Sequence, residues 1–231
     1  MSAGRTLALL RERPVLIASL PANNPELARA ALDGGAQVLK VHINVHHDAS
    51  GTHFGSLAQE RPALEGILAL GAPTGLVVGA EQVASPAELA EIAALGFDFI
   101  VAYAHHLPAW MFAGSPLARM VAVGADYQPA EARALAALGA QMVEAAIIEH
   151  SGYGQPLTTR DLARYRALVE AVVPVPVIVP TQRAITPEEG AFLVETVGVR
   201  AVMIGAIVTG KEPAGYRAAA ARFRAALDQA R

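Results

Sequence analysis

Eight short apolar runs, most of them leading into a helix start, leave few folds open to this chain. They are Pro14–Leu20, Gln37–Asn44, Thr74–Gly79, Phe97–Tyr103, Arg119–Val123, Gln141–Ile148, Val175–Val179 and Ala201–Ile204. Each has the length of a strand rather than a helix, and several are rich in Val and Ile. That pattern fits parallel strands buried on both faces. Helix starts lie between them. Asn24-Pro25-Glu26, Ser85-Pro86-Ala87-Glu88 and Thr186-Pro187-Glu188-Glu189 each put a capping side chain first, then proline, then carboxylate in the first turn. Leu57–Leu70, Pro129–Leu138 and Thr158–Val172 also read as helices, and Tyr216–Arg231 as a closing amphipathic one. His105–Pro116 reads as irregular, with one helical turn around Trp110.

The units recur at intervals of about 25 to 30 residues, and strand-helix alternation of this kind implies a parallel sheet. Eight of them in 231 residues match a (β/α)8 barrel of the TIM type, one domain over residues 1–231. An open doubly wound sheet is the rival. It would carry a glycine-rich phosphate loop after the first strand, where this chain has Ser19-Leu20-Pro21-Ala22.

Composition removes several functions. The chain is 53% apolar, but no run reaches the roughly 18 residues of a membrane span. Net charge is −3 and no basic block occurs, so neither nucleic acid nor membrane is expected as a partner. Cysteine is absent, which excludes disulfides and thiol catalysis. The short apolar patch Leu7–Leu10 runs at once into Arg11-Glu12-Arg13, unlike a signal peptide. The expectation is a cytoplasmic enzyme without a cofactor, pairing with a second copy through the apolar residues Trp110–Phe112.

In such a barrel the chemistry sits at the carboxyl ends of the strands. On the second run Leu39, Val41, Ile43 and Val45 share the face expected to meet the helices, while Lys40, His42 and Asn44 share the face expected to point inward. Three interior polar residues are costly unless paired or used. Either they satisfy one another, or His42 and Asn44 contact substrate with Lys40 deeper, as structural member, base or Schiff-base former. Glu144 is available as an interior partner for Lys40. His46, His47, Asp48 and His53 follow in a polar loop and with His42 offer metal donors, but clustered histidines in a glycine-rich loop more often gate or stay solvated, so no metal is expected. Glu149 and His150 after the sixth run are candidate acid-base groups, Glu149 alternatively a solvated carboxylate. Gly152 and Gly154 give backbone freedom to wrap an anion, and the Gly205-Ala206-Ile207 turn can aim amides at one. Arg183 suits bidentate contact with phosphate, or a salt bridge to Glu188 or Glu189.

These residues resemble a family. The closing strands and loops are similar to ribulose-phosphate-binding barrels, nearest to N-acylglucosamine-6-phosphate (N-acetylmannosamine-6-phosphate) 2-epimerases. The likeness rests on Ser151-Gly152-Tyr153, Val175-Pro176-Val177-Ile178, Arg183 with Thr186-Pro187-Glu188, Gly205–Thr209, and Val41-His42-Ile43-Asn44. The last segment also resembles the His-x-Asp strand of ribulose-phosphate 3-epimerases, with Asn44 in place of the carboxylate. The resemblance implies a small phosphorylated sugar as substrate and proton transfer beside its carbonyl. His42, Asn44, Glu149 and Lys40 would be the catalytic candidates, and Gly152, Gly154, Arg183, Gly205 and Ala206 the phosphate grip. The family's catalytic lysine after strand three is unmatched, since Val78-Gly79-Ala80-Glu81 stands there. Its glutamate after strand seven is replaced by Pro180-Thr181-Gln182. A lyase using Lys40 and a non-catalytic sugar-phosphate binder therefore stand beside the epimerase.

Overall fold

In the computed structural model, which describes residues 4–230, eight parallel strands close into a barrel. The strands are β1 (Val15–Ser19), β2 (Val38–His42), β5 (Thr74–Val77), β6 (Phe99–Tyr103), β7 (Ala118–Val123), β8 (Met142–Ala145), β9 (Val177–Pro180) and β10 (Ala201–Ile204). Their order around the barrel is β1-β10-β9-β8-β7-β6-β5-β2, with β2 returning to β1. All eight expected runs become barrel strands, several of them shorter than expected. A separate antiparallel hairpin, β3 (Val45–His47) and β4 (Thr52–Phe54), follows β2.

The helices begin where capping chemistry says they should. Asn24 accepts a hydrogen bond from the Glu26 amide at the start of α2 (Pro25–Asp33). Reciprocal capping pairs start α3 (Leu57–Leu68, Ser56 with Gln59), α4 (Pro86–Leu95, Ser85 with Glu88), α7 (Thr159–Val172, Thr158 with Asp161) and α8 (Pro187–Phe192, Thr186 with Glu189). Each such pair satisfies two otherwise orphaned amides. α6 (Pro129–Leu138) ends at Gly139, in the left-handed conformation that suits glycine. The closing helix, α10 (Pro213–Gln229), starts before the expected Tyr216, and Arg231 lies outside the described residues.

The hairpin and two helical elements were not expected from sequence. α1 (Arg5–Glu12) replaces a simple apolar patch, its first amides held by the Asp98 carboxylate at 2.7 Å each from Arg5 and Thr6. The helical turn expected around Trp110 is present as α5 (Ala109–Gly114), within which Phe112 lies under the Arg119 guanidinium at 5.5 Å and Trp110 is exposed. α9 (Ala206–Thr209) is a single turn directly after β10.

Alternation along each strand builds two cores. Leu16, Leu39, Val41, Ile100, Val143 and Val202 pack between sheet and helices. Val15, Val38, Phe99, Met120, Met142 and Met203 fill the interior, where Leu7 and Leu10 of α1 close the amino-terminal end. The open volume is therefore displaced to the carboxyl ends of the strands. Gly75 belongs to this interior packing: a Cβ there would overlap the Phe99 ring. Gly75→Ala should lower stability by about 1–3 kcal/mol through overpacking, read as a reduced urea midpoint with an unchanged slope.

Candidate active site

A cavity of about 340 Å³ occupies the carboxyl end of the barrel. On its wall Lys40 reaches across to Glu144, with Nζ 2.8 and 2.9 Å from the two carboxylate oxygens. β2 and β8 stand four places apart in either direction around the barrel, so the ion pair spans its diameter. Both side chains are only 7% exposed. Removing either partner strands a buried charge, whereas replacing both with apolar groups removes the desolvation cost.

His42 lies beside this pair, 1% exposed, and neither ring nitrogen has a partner among the described residues. Its ring stacks on Phe54 at 4.7 Å between centroids and meets His47 at 4.6 Å. Burial, then the neighbouring His47 and Lys40, hold its pKa well below the ordinary value of 6.5. Burial followed by Lys40 and His46 lowers His47 to about 4. Both imidazoles are therefore neutral near pH 7, with one nitrogen able to donate and the other to accept. His47 Nδ1 lies 2.8 Å from Ser50 Oγ.

The hairpin puts His47 and Asp48 on the cavity wall. Val45 pairs with Phe54, His46 with His53 and His47 with Thr52, while Gly51 takes a positive φ of 64° in the turn. The sequence signal was faint: a turn-forming Asp-Ala-Ser-Gly stretch lies between Val45-His46-His47 and Thr52-His53-Phe54, neither of which alternates in character. Val45 consequently faces the cavity rather than the helices.

The expected site residues separate into two groups. Lys40, His42, Gly205 and Ala206 border the cavity. Asn44, Glu149, Gly152, Gly154 and Arg183 do not. β2 ends at His42, and Asn44 adopts a left-handed φ of 51° in the turn into the hairpin, a conformation asparagine tolerates. Its alternation with Lys40 and His42 is thereby broken. Asn44 borders a second hollow of about 580 Å³ with His53, Glu81 and Gln82, where no buried unpartnered polar atom lies among the described residues. Glu149 is exposed, immediately before a 3₁₀ turn at His150–Gly152. Arg183 is held by Asp161, Nε at 2.9 Å and Nη2 at 3.3 Å from its two oxygens, and by the Gly152 carbonyl at 3.0 Å. The expected partners Glu188 and Glu189 are not used, because the buried Asp161 carboxylate lies closer to hand. Burial pushes that carboxyl up, but hydrogen bonds from Arg183 and Thr158 outweigh it and hold its pKa below the ordinary value.

At the turn after β10 the Gly205 amide donates to Thr181 Oγ1 at 3.0 Å, and the Val208 and Thr209 amides return to the Gly205 carbonyl. Among the described residues the amides of Ala206 and Ile207 find no acceptor. Ser19, whose buried hydroxyl also lacks a partner among the described residues, Tyr103, Tyr153 and Gln182 border the cavity too. None was chosen from sequence, since an isolated Ser, Tyr or Gln beside an apolar run carries no distinctive spacing. Burial, with Glu144, Tyr153 and Asp48 adding to it, pushes the Tyr103 phenol up, so it stays protonated. No three His, Asp or Glu side chains among the described residues are disposed to hold a metal ion, and no described helix is long and apolar enough to cross a membrane.

No protein-family model and no curated protein matches the sequence. Solved structures do match. A Mycobacterium tuberculosis tryptophan synthase chain superposes with TM-score 0.76 at 17% identity, covering 98% of this chain and 99% of that one. KGPDC from Streptococcus mutans gives 0.66 at 17% identity over 95% and 99%. A native KDPGal structure gives 0.64 at 21% identity over 93% and 95%. The likeness is one of fold. It establishes the (β/α)8 barrel of the TIM type.

Two outcomes test the electrostatics of this site. Lys40→Met and Glu144→Leu alone should each cost about 3–5 kcal/mol in urea unfolding, and the double variant should recover most of it. The histidines give a pH dependence. Because their folded pKa values lie below 6.5, the unfolded chain binds the extra protons. Stability is then full above about pH 6.5 and falls as pH drops toward 4. His42→Phe should lose less stability than the unaltered protein between about pH 7 and 5.

Proposed function

We propose that the barrel is an enzyme that moves a proton beside the carbonyl of a small phosphorylated sugar. The observation that carries this is the Lys40–Glu144 pair on the wall of a closed-ended cavity, next to a buried His42 with both ring nitrogens free. In this proposal the Lys40 ammonium polarises the carbonyl oxygen and the Glu144 carboxylate takes the proton from the adjacent carbon. Neutral His42 hydrogen-bonds the neighbouring oxygen, donating or accepting as the enediolate forms. The Ala206 and Ile207 amides receive the phosphate, and Arg183, engaged by Asp161, takes no part. Among the structures of similar fold, tryptophan synthase is an enzyme by name, which agrees with catalysis without choosing the reaction.

The bidentate contact of Lys40 with Glu144 favours proton transfer over a Schiff base, because imine formation needs a free amine. The same lysine, with a carboxylate beside it to relay protons, is nevertheless the feature that supports a lyase as the second reading.

Both are tested by incubating the protein in D2O with a panel of aldose and ketose phosphates, in parallel with borohydride. Deuterium entering the carbon beside the carbonyl, slowed about 100-fold or more by Glu144→Gln, supports proton transfer. A borohydride-fixed adduct on Lys40 transfers the assignment to the lyase. Binding with neither exchange nor adduct leaves a non-catalytic sugar-phosphate binder.

A further inference from the structure

Behind the cavity wall a short relay fixes the direction of one hydrogen bond. The Ile148 amide lies 3.2 Å from Gln182 Oε1, and Gln182 Nε2 lies 2.6 Å from the Tyr153 hydroxyl. A side-chain amide can ordinarily be turned end for end without contradiction. Here it cannot. The Ile148 N–H can only donate, so the Gln182 oxygen must face it and the nitrogen must face Tyr153. The Tyr153 oxygen is therefore the acceptor, and its own proton is left to point elsewhere. Among the described residues no other hydrogen bond to that hydroxyl is present, and both Tyr153 and Gln182 border the cavity that holds Lys40, Glu144 and His42. Gln182 is only 6% exposed, so water does not easily replace the contact.

We propose that Tyr153 is a ligand-binding residue, donating its hydroxyl proton to an oxygen of the bound carbonyl compound, and that Gln182 is the positioning residue that fixes this direction. The proposal rests on the phosphorylated carbonyl substrate argued above, and adds that the substrate presents an acceptor oxygen to Tyr153. Accepting from Gln182 polarises the phenol and strengthens it as a donor. Burial, partly opposed by the Gln182 contact, raises the Tyr153 pKa, so the proton is retained near neutrality.

The direction of the bond is measured without a ligand from the intensity ratio of the tyrosine Raman doublet, which differs between a phenol that accepts a hydrogen bond and one that donates it. Subtracting the Tyr153→Phe spectrum isolates Tyr153. The unaltered protein should give a ratio above that of a phenol that only donates, because Tyr153 also accepts from Gln182. Gln182→Glu puts an acceptor where the donor was, keeps an oxygen for Ile148, and should shift the ratio to that of a donor. Gln182→Met, which removes the donor without adding charge, covers the case in which Gln182→Glu does not fold. Binding is then followed by calorimetry with dihydroxyacetone phosphate, ribulose 5-phosphate and fructose 6-phosphate. Tyr153→Phe and Gln182→Glu should each weaken whichever binds by about tenfold, the worth of one hydrogen bond. A donor ratio in the unaltered protein overturns the relay. Equal affinity in all three proteins overturns the ligand contact. If none of the three compounds binds the unaltered protein, the sugar-phosphate function falls and the contact with it, while the Raman ratio still decides the direction of the bond.

Discussion

Closing a parallel sheet into a barrel gives every strand an inside, and side chains that alternate along a strand must then alternate between interior and helix layer. The rest of the molecule depends on that constraint. It sends Val15, Val38, Met120, Met142 and Met203 inward to fill the amino-terminal half, with Leu7 and Leu10 sealing the end. The same alternation, continued one step along β2 and β8, brings Lys40 and Glu144 inward where apolar filling stops. The polar floor of the cavity and the apolar plug below it are thus successive layers of one pattern. Placing the charges deeper would have cost their solvation without a route to a ligand.

The cavity above that floor is assembled from elements distant in the chain. β2 supplies Lys40 and His42, the hairpin supplies His47, β8 supplies Glu144, and the segments after β9 and β10 supply Gln182 and Ala206. What unites these groups is restraint of their protonation or direction. Lys40 and Glu144 hold each other, His42 and His47 are kept neutral by burial, and Gln182 fixes the Tyr153 hydroxyl. Such prearranged dipoles suit a reaction in which charge develops on a carbonyl oxygen.

Much of this was legible in the residues. The inward Lys40 and His42 of β2, Glu144 as an available interior partner for Lys40, and the Gly205-Ala206 turn at the cavity end followed from strand period and barrel polarity. Asn44 did not follow, because one left-handed residue ends the strand and cancels its period. Arg183 was misplaced for another reason. Its expected partners were sequence neighbours, whereas Asp161, 22 positions away, is buried and already organised by the cap of α7. Gln182 entered only as a departure from a family pattern, and its hydrogen bonds to Ile148 and Tyr153 come from residues 34 and 29 positions away.

The sequence by itself determined the eight strands, their order of alternation with helices, most of the helix starts and hence the barrel. Those features are set locally, by the lengths of apolar runs and by capping side chains within three residues of the groups they satisfy. Only the tertiary structure decided which polar residues share the cavity and which way their hydrogen bonds run. Such contacts join residues far apart in the chain, and a strand's period says which face a residue takes, not which partner meets it there.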